Sequence, residues 1–224
     1  MIEVINGGGV TSAAGFSAGA TSAGLKTESG ALDLGILLSD RPATVAGTFT
    51  SNSIKSPSVT VSRERIQKDT SLGLVANSGC ANCSVGDQGY TDAIEMTNLA
   101  AGHVGVSSED LFVASTGMIG VELPMALVRQ NITNVGLSED GGSDFAKSIM
   151  TTDSKHKERA VSFVQDGNTI TVGGAAKGVG MIHPNMATML CFITTDANIE
   201  KTYLQSILTD AVSKSFNMID VDGD

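Results

Sequence analysis

Apolar residues change period several times along the chain, and the changes mark out its elements. Short β-branched or aliphatic runs bounded by turn residues predict strands at Leu34 to Leu38, Val45 to Thr50, Ser58 to Val61, Leu72 to Ala76 and Leu111 to Ala114. Ala93, Met96, Ala100 and Val104 fall at helical spacing and predict a helix over Gly89 to His103. Further helices are expected over Pro124 to Asn131, where a proline suits the first turn, and over Ser143 to Met150. Val161 to Val164 and Thr169 to Val172 flank Asp166-Gly167-Asn168 and read as a hairpin. The apolar run Met189 to Ile193 precedes a helix from about Ile199 to Phe216, with Ile199, Tyr203, Ile207, Ala211 and Val212 on one face. Met218 to Asp224 reads as a strand entering a loop, a chain that stops in mid-domain. This mixture gives an α/β (α+β) class without fixing topology.

The first thirty residues are rich in Gly, Ala, Ser and Thr, and read equally as a flexible linker or as a tightly packed lead-in to a sheet. Their glycines lack the Gly-Lys-Ser/Thr ending of a phosphate loop. At 224 residues the chain can bury a substantial core, as one large domain or two small ones. With 4% aromatic residues and no tryptophan, that core must rest on aliphatic side chains, Met and Ala.

Charge narrows the function. A formal net charge of −10, without clustered Lys and Arg, argues against a nucleic-acid partner. No apolar run approaches a membrane span, and Met1 to Asn6 lacks the features of a signal peptide, so the expected location is the cytoplasm. Cys80 and Cys83 have the spacing of a metal or redox half-site, but zinc needs two more soft ligands and the three histidines are scattered. A structural thiol pair is the preferred reading. The alternating aspartates at the end misplace the first acidic ligand of a calcium loop.

The run Lys177 to Leu190 carries the chemistry. Ala187 precedes Thr188 on a loop punctuated by Gly and Pro. A threonine hydroxyl needs an adjacent base to act as a nucleophile, and a freed α-amino group on the same residue is one. Only about 10–20% of an unperturbed α-amine is free base at neutral pH, and a nearby cation such as Lys177 would raise that fraction. The oxyanion formed on attack needs preorganised donors. Ala114 to Gly120, leaving a strand into a Gly-bearing turn, is the best candidate to supply them. On residue type alone Thr188 reads as a loop threonine, Lys177 as a solvated surface lysine, Thr152 and Asp153 as cap or turn residues. Asn77 and Asn82 read as loop-holding side chains, and His183 as a loop histidine that could assist proton movement.

Lys177 to Leu190 strongly resembles the self-cleavage segment of the ornithine acetyltransferase family, the glutamate N-acetyltransferases of arginine biosynthesis. The resemblance runs in order through Ser39 to Ala43, Gly47 to Asn52, Asn77 to Gly79, Ser115 to Gly117, Met150 to Asp153, Ser215 to Asn217 and Val221 to Asp224. It departs at Val179 and His183, which replace common family residues without removing a catalytic group. It implies layered sheets flanked by helices and autoproteolysis between Ala187 and Thr188. Residues 1–187 would then be an alpha-chain region and 188–224 the N-terminal part of a beta chain that continues well beyond. It implies Thr188 as nucleophile, Thr116 and Gly117 as the oxyanion hole, and Thr151 and Lys177 as substrate contacts, with no metal. The implied reaction takes acetyl from N-acetylornithine to glutamate, without a cofactor, in a heterotetramer of two alpha and two beta chains. Some family members also accept acetyl-CoA as donor.

Competing readings are an N-terminal-nucleophile aminopeptidase or amidase, in which water resolves the acyl-threonine, and a non-catalytic module that keeps the fold. Thr116→Ala and Gly117→Ala are expected to slow turnover with milder effects on folding.

Overall fold

The computed structural model describes residues 1–180, 182 and 189–221. Two four-stranded sheets form its frame. The first has strand order β2-β3-β4-β5, from Phe16–Thr21 (β2), Leu34–Thr44 (β3), Thr70–Cys80 (β4) and Leu111–Met118 (β5). The second has order β1-β6-β7-β8, from Ile2–Ile5 (β1), Lys157–Gln165 (β6), Asn168–Lys177 (β7) and Leu190–Thr195 (β8). All its neighbours are antiparallel, whereas β4 and β5 run parallel. A parallel pair needs a crossover, and helix α2 (Gln88–Val104) supplies it.

Two cores follow from the layers. One lies between the first sheet and the helices α1 (Pro57–Arg65), α2 and α3 (Met125–Asn131). Ala93, Met96 and Ala100, the periodic positions of α2, are fully buried there against Leu34, Ile36 and Val75. The other joins Leu37, Leu74 and Ala76 of the first sheet to Ala175 of the second through Phe145, Ala146 and Ile149, from and just after helix α4 (Gly142–Ser148). Phe145 meets Phe192 edge-on with ring centroids 5.5 Å apart. The glycine-rich start is packed rather than a linker. A Cβ on Gly19 would sit 2.0 Å from the Gly136 carbonyl oxygen, so only glycine lets these segments meet.

Four expectations needed correction. Ser58 to Val61, read as a strand, lies in α1. Pro57 occupies its first turn and the Ser56 hydroxyl accepts from the Ser58 N–H, a start signal that outweighs two β-branched valines. Val45 to Thr50 is irregular; Gln205 holds it by exchanging two hydrogen bonds of 3.1 Å with the Gly47 backbone. Helix α5 (Lys201–Ser213) is present, but of the face expected to be buried only Val212 is, while Tyr203 and Ile207 are exposed. Met218 ends a 3₁₀ turn, and Val221 makes an isolated bridge to Ile182 instead of a strand. No helix among the described residues is long and apolar enough to cross a membrane.

The inner face of α1 is polar, for a reason that bears on the site. Ser58, Val61, Ser62 and Arg65 are buried at helical spacing against β5, an outer strand of its sheet whose free edge needs partners. The Ser62 hydroxyl donates to the Val113 carbonyl (2.7 Å) and accepts from the Val113 N–H (3.0 Å), while Arg65 donates to the Leu111 carbonyl (2.7 Å). One residue pair further along, the Ser58 and Ser115 hydroxyls are bonded at 2.8 Å. Helix α1 thus stands in for a missing neighbouring strand and fixes β5 just before Thr116. Ser62→Ala leaves a buried N–H and C=O of Val113 unpaired and is expected to cost about 1–3 kcal/mol, read from urea unfolding.

Candidate functional site

The parallel strands β4 and β5 end together, and their C-terminal ends build one wall of the site. Gly79 stands opposite Gly117, after which Cys80 faces both Thr116 and Met118 in a local irregularity. Gly79 and Gly117 have φ of 103° and 133°, which L side chains rarely adopt. A Cβ on Gly117 would lie 2.3 Å from the Gly79 carbonyl carbon, and one on Gly79 would lie 2.3 Å from the Leu25 carbonyl oxygen. Three backbone segments are stacked here with no room for a side chain.

The outermost segment is held by Asp33. Its fully buried carboxylate accepts from the N–H groups of Ala23 (2.7 Å), Leu25 (2.6 Å) and Lys26 (3.1 Å), and its carbonyl accepts from Ser78 N–H (2.9 Å). Asn77 donates to the Cys80 carbonyl at the end of β4, and Asn82 donates to that of Gly89. Asn82 holds a loop, as the sequence suggested; Asn77 and its acceptor lie within β4 instead.

The opposite wall comes from β7. Thr171, Gly173, Ala175 and Lys177 alternate inward along it, so the strand's period of two delivers the lysine to the interior. Lys177 is only 5% exposed, and its ammonium donates to Thr116 Oγ1 at 3.1 Å, across the gap between the two sheets. This reverses the expectation of a solvated surface lysine. Burial pulls the Lys177 pKa below that of a free lysine; Asp153 opposes that pull, while Lys157 and Lys26 add to it.

Asp153 lies in the loop between α4 and β6 and ties the site together. One carboxylate oxygen accepts from Gly178 N–H at 2.9 Å and from the Lys157 ammonium; the other accepts from Thr151 N–H at 3.2 Å. Burial works to raise its pKa, but the bonds from Lys157, Gly178 and Thr151 outweigh this and hold it below the usual carboxylate range. Lys26 is also half-buried; desolvation lowers its pKa, with Asp33, Glu28 and Asp153 opposing. Lys26, Lys157 and Lys177 thus all feel the charge of Asp153, in a chain whose net charge is −10. A small anion suits such a grouping of cations.

The structure brings together four of the expected site residues: Thr116 and Gly117 on β5, Lys177 on β7, and Thr151 through Asp153. Ala187 and Thr188, with His183, lie outside the described residues. The chain that follows them does not: Leu190 pairs with Lys177 in the β7–β8 register, and Met189 lies against Gly178. Sequence reasoning missed Asp33 and Lys26 altogether and gave Asp153 only a turn role. The Cys80 thiol donates to the Val121 carbonyl at 3.1 Å, and burial raises its pKa, the state of an unreactive structural thiol. Burial pushes the Cys191 thiol up to about 11.

This architecture is that of a layered α/β protein with its site where parallel strands end between two sheets. It superposes on the crystal structure of arginine biosynthesis bifunctional protein ArgJ from Bacillus halodurans with a TM-score of 0.79 at 34% identity, covering 85% of this chain and 98% of that one. Ornithine acetyltransferase from Mycobacterium tuberculosis, solved in complex with ornithine, gives 0.77 at 32% identity, covering 85% of this chain and 100% of that one. An L-aminopeptidase D-Ala-esterase/amidase from Ochrobactrum anthropi, described as a variant of the Ntn hydrolase fold, shares the fold at 17% identity with a TM-score of 0.50. The ArgJ family model matches residues 17–224, and the chain belongs to the ArgJ family. It is 46% identical over its full length to the arginine biosynthesis bifunctional protein ArgJ of Dehalococcoides mccartyi, and 47% identical over 97% of its length to that of Symbiobacterium thermophilum. It spans 55% of each of these relatives.

Two outcomes are expected from this geometry. Gly117→Ala forces a Cβ into the Gly79 backbone, so it should lower the melting temperature as well as activity; the mild folding effect expected from sequence does not survive the 2.3 Å approach. Lys177→Met should lose any function that depends on the cation, yet gain thermal stability at neutral pH. With the folded pKa depressed, the unfolded chain binds more protons in the window between that value and 10.5. Wild-type stability therefore rises with pH through the window, and the advantage of Lys177→Met shrinks as melting scans approach pH 10.5.

Proposed function

We propose that the protein is an ornithine acetyltransferase that carries acetyl from N-acetylornithine to glutamate through an acetyl-threonine on Thr188. The observation that carries this reading is the buried contact of Lys177 with Thr116. Two family motifs 61 residues apart meet there at the ends of separate sheets. The ornithine-bound relative from Mycobacterium tuberculosis supports the substrate class, and the shared ArgJ membership supports arginine biosynthesis.

The steps follow from the residues. The Thr188 hydroxyl attacks the Ala187 carbonyl, the Ala187–Thr188 amide becomes an ester, and water hydrolyses the ester to free the α-amine. That amine then takes the hydroxyl proton as Thr188 Oγ attacks the acetyl carbonyl of N-acetylornithine. The amide C–N bond breaks, the proton passes to the departing amine, and ornithine leaves. The amine of glutamate attacks the acetyl ester, N-acetylglutamate departs, and the threonine hydroxyl is restored. Thr116 and Gly117 bind the oxyanion at each stage, the largest single electrostatic contribution in most such sites. Lys177 and Thr151 hold the substrate, Lys177 through its carboxylate. A cationic pocket suits both substrates, since each carries an α-carboxylate. The reaction uses no cofactor of its own, acetyl-CoA being an alternative donor. The processed chains stay together as a cytoplasmic heterotetramer, two of each.

The test uses the full-length protein. Intact mass and N-terminal sequencing should give a fragment beginning at Thr188, and incubation with N-acetylornithine and glutamate should give N-acetylglutamate. Thr188→Ala should abolish cleavage and transfer, and Thr188→Ser should keep some of each. Free acetate without N-acetylglutamate would identify a hydrolase instead, and an uncut yet active Thr188→Ala protein would sink the scheme.

A further inference from the structure

Asp153 is placed to govern the charge of the lysine beside Thr116. Its side chain is 1% exposed, and it receives hydrogen bonds from three separate places: the Thr151 amide in its own loop, the Gly178 amide after β7, and the Lys157 ammonium at the start of β6. Two of these amides belong to, or directly follow, residues expected to touch substrate. A carboxylate with only a turn role would need one of these bonds. The groups that face Lys177 come from four elements: Asp153 from the α4–β6 loop, Lys157 from β6, Lys26 from the segment pinned by Asp33, and the Thr116 hydroxyl from β5. Asp153 is the one anion among them.

We propose that Asp153 is a positioning residue, whose buried carboxylate locks the Thr151 and Gly178 backbone in place and keeps Lys177 a cation for binding a substrate carboxylate. The consequence for catalysis rests on the acetyl-transfer reading; the electrostatic role does not. Burial discourages the charged form of Lys177, and two neighbouring ammonium groups discourage it further. Among the described residues, Asp153 is the group that opposes them. Lys157 pairs directly with that carboxylate, while Lys177, bonded to Thr116, feels its charge. Without the carboxylate, three ammonium groups would face one another and the buried one would be the first to lose its proton.

The test has a readout independent of activity. In full-length protein carrying lysine labelled with ¹³C at Cε, the Lys177 signal is assigned by its absence in Lys177→Arg and titrated by NMR. Asp153→Asn should lower its midpoint by about one pH unit or more, the scale of an opposite charge at close range. Lys157→Gln, at a partly exposed position, should raise it. In the transfer assay the alkaline limb of kcat/KM should move down with the NMR midpoint in Asp153→Asn, and KM for glutamate should rise more than kcat falls. A Lys177 midpoint unmoved in both variants would overturn the inference, as would a loss of stability in Asp153→Asn with the midpoint in place. If Asp153→Asn does not fold, the direction of the Lys157→Gln shift decides alone. If the wild type makes no N-acetylglutamate while both midpoints move as stated, the acetyl-transfer reading falls and the role of Asp153 stands.

Discussion

A lysine ammonium placed between two sheets gives up most of its water, and the rest of the site follows from how that loss is offset. Lys177 reaches its position because β7 alternates inward at every second residue, and the last inward position holds a lysine where Thr171, Gly173 and Ala175 hold small side chains. It is met by a hydroxyl from the other sheet and by the field of a buried carboxylate. Each of these must be held in turn. Thr116 depends on β5, and β5 depends on α1, whose serines and arginine satisfy its open edge. Asp153 depends on the backbone amides that it also restrains.

The two sheets make different contributions. The first is stiffened from outside by helices on an apolar core and supplies a wall of main chain, where Gly79, Gly117 and the Leu25 carbonyl touch without side chains between them. The second supplies charge, with Lys157 and Lys177 on neighbouring antiparallel strands. The site thus sets bare main chain on one side against positive charge on the other.

Local sequence told a good deal of this and failed for traceable reasons. The helix α2 was legible because Ala93, Met96 and Ala100 face an apolar core, where hydrophobic period and burial coincide. Helix α1 was not, because the face it buries is polar: Ser58, Ser62 and Arg65 are inside to satisfy a strand edge, which no hydrophobic pattern reports. Its true signals were Ser56 and Pro57. Tyr203 and Ile207 have the spacing of a core face but remain exposed, since spacing alone does not supply a partner. At the site, Lys177 stood out as a nearby cation and Ala114 to Gly120 as a Gly-bearing turn, whereas Thr151 was marked by family resemblance alone. The ties made by Asp33 and Asp153 depend on residues brought together by the fold, and nothing in the local sequence marks a carboxylate as buried.

The facing glycines at 79 and 117 limit how this scaffold can diversify. Because that wall is bare main chain pressed against main chain, selection has no side chain there to exchange, and the donors it presents are as fixed as the fold itself. Adaptation to a differently shaped ligand would have to come from the charged rim: the segment tethered by Asp33, and the lysines grouped about Asp153. The wall of facing backbone is inherited whole, and only the charged rim around it is open to revision.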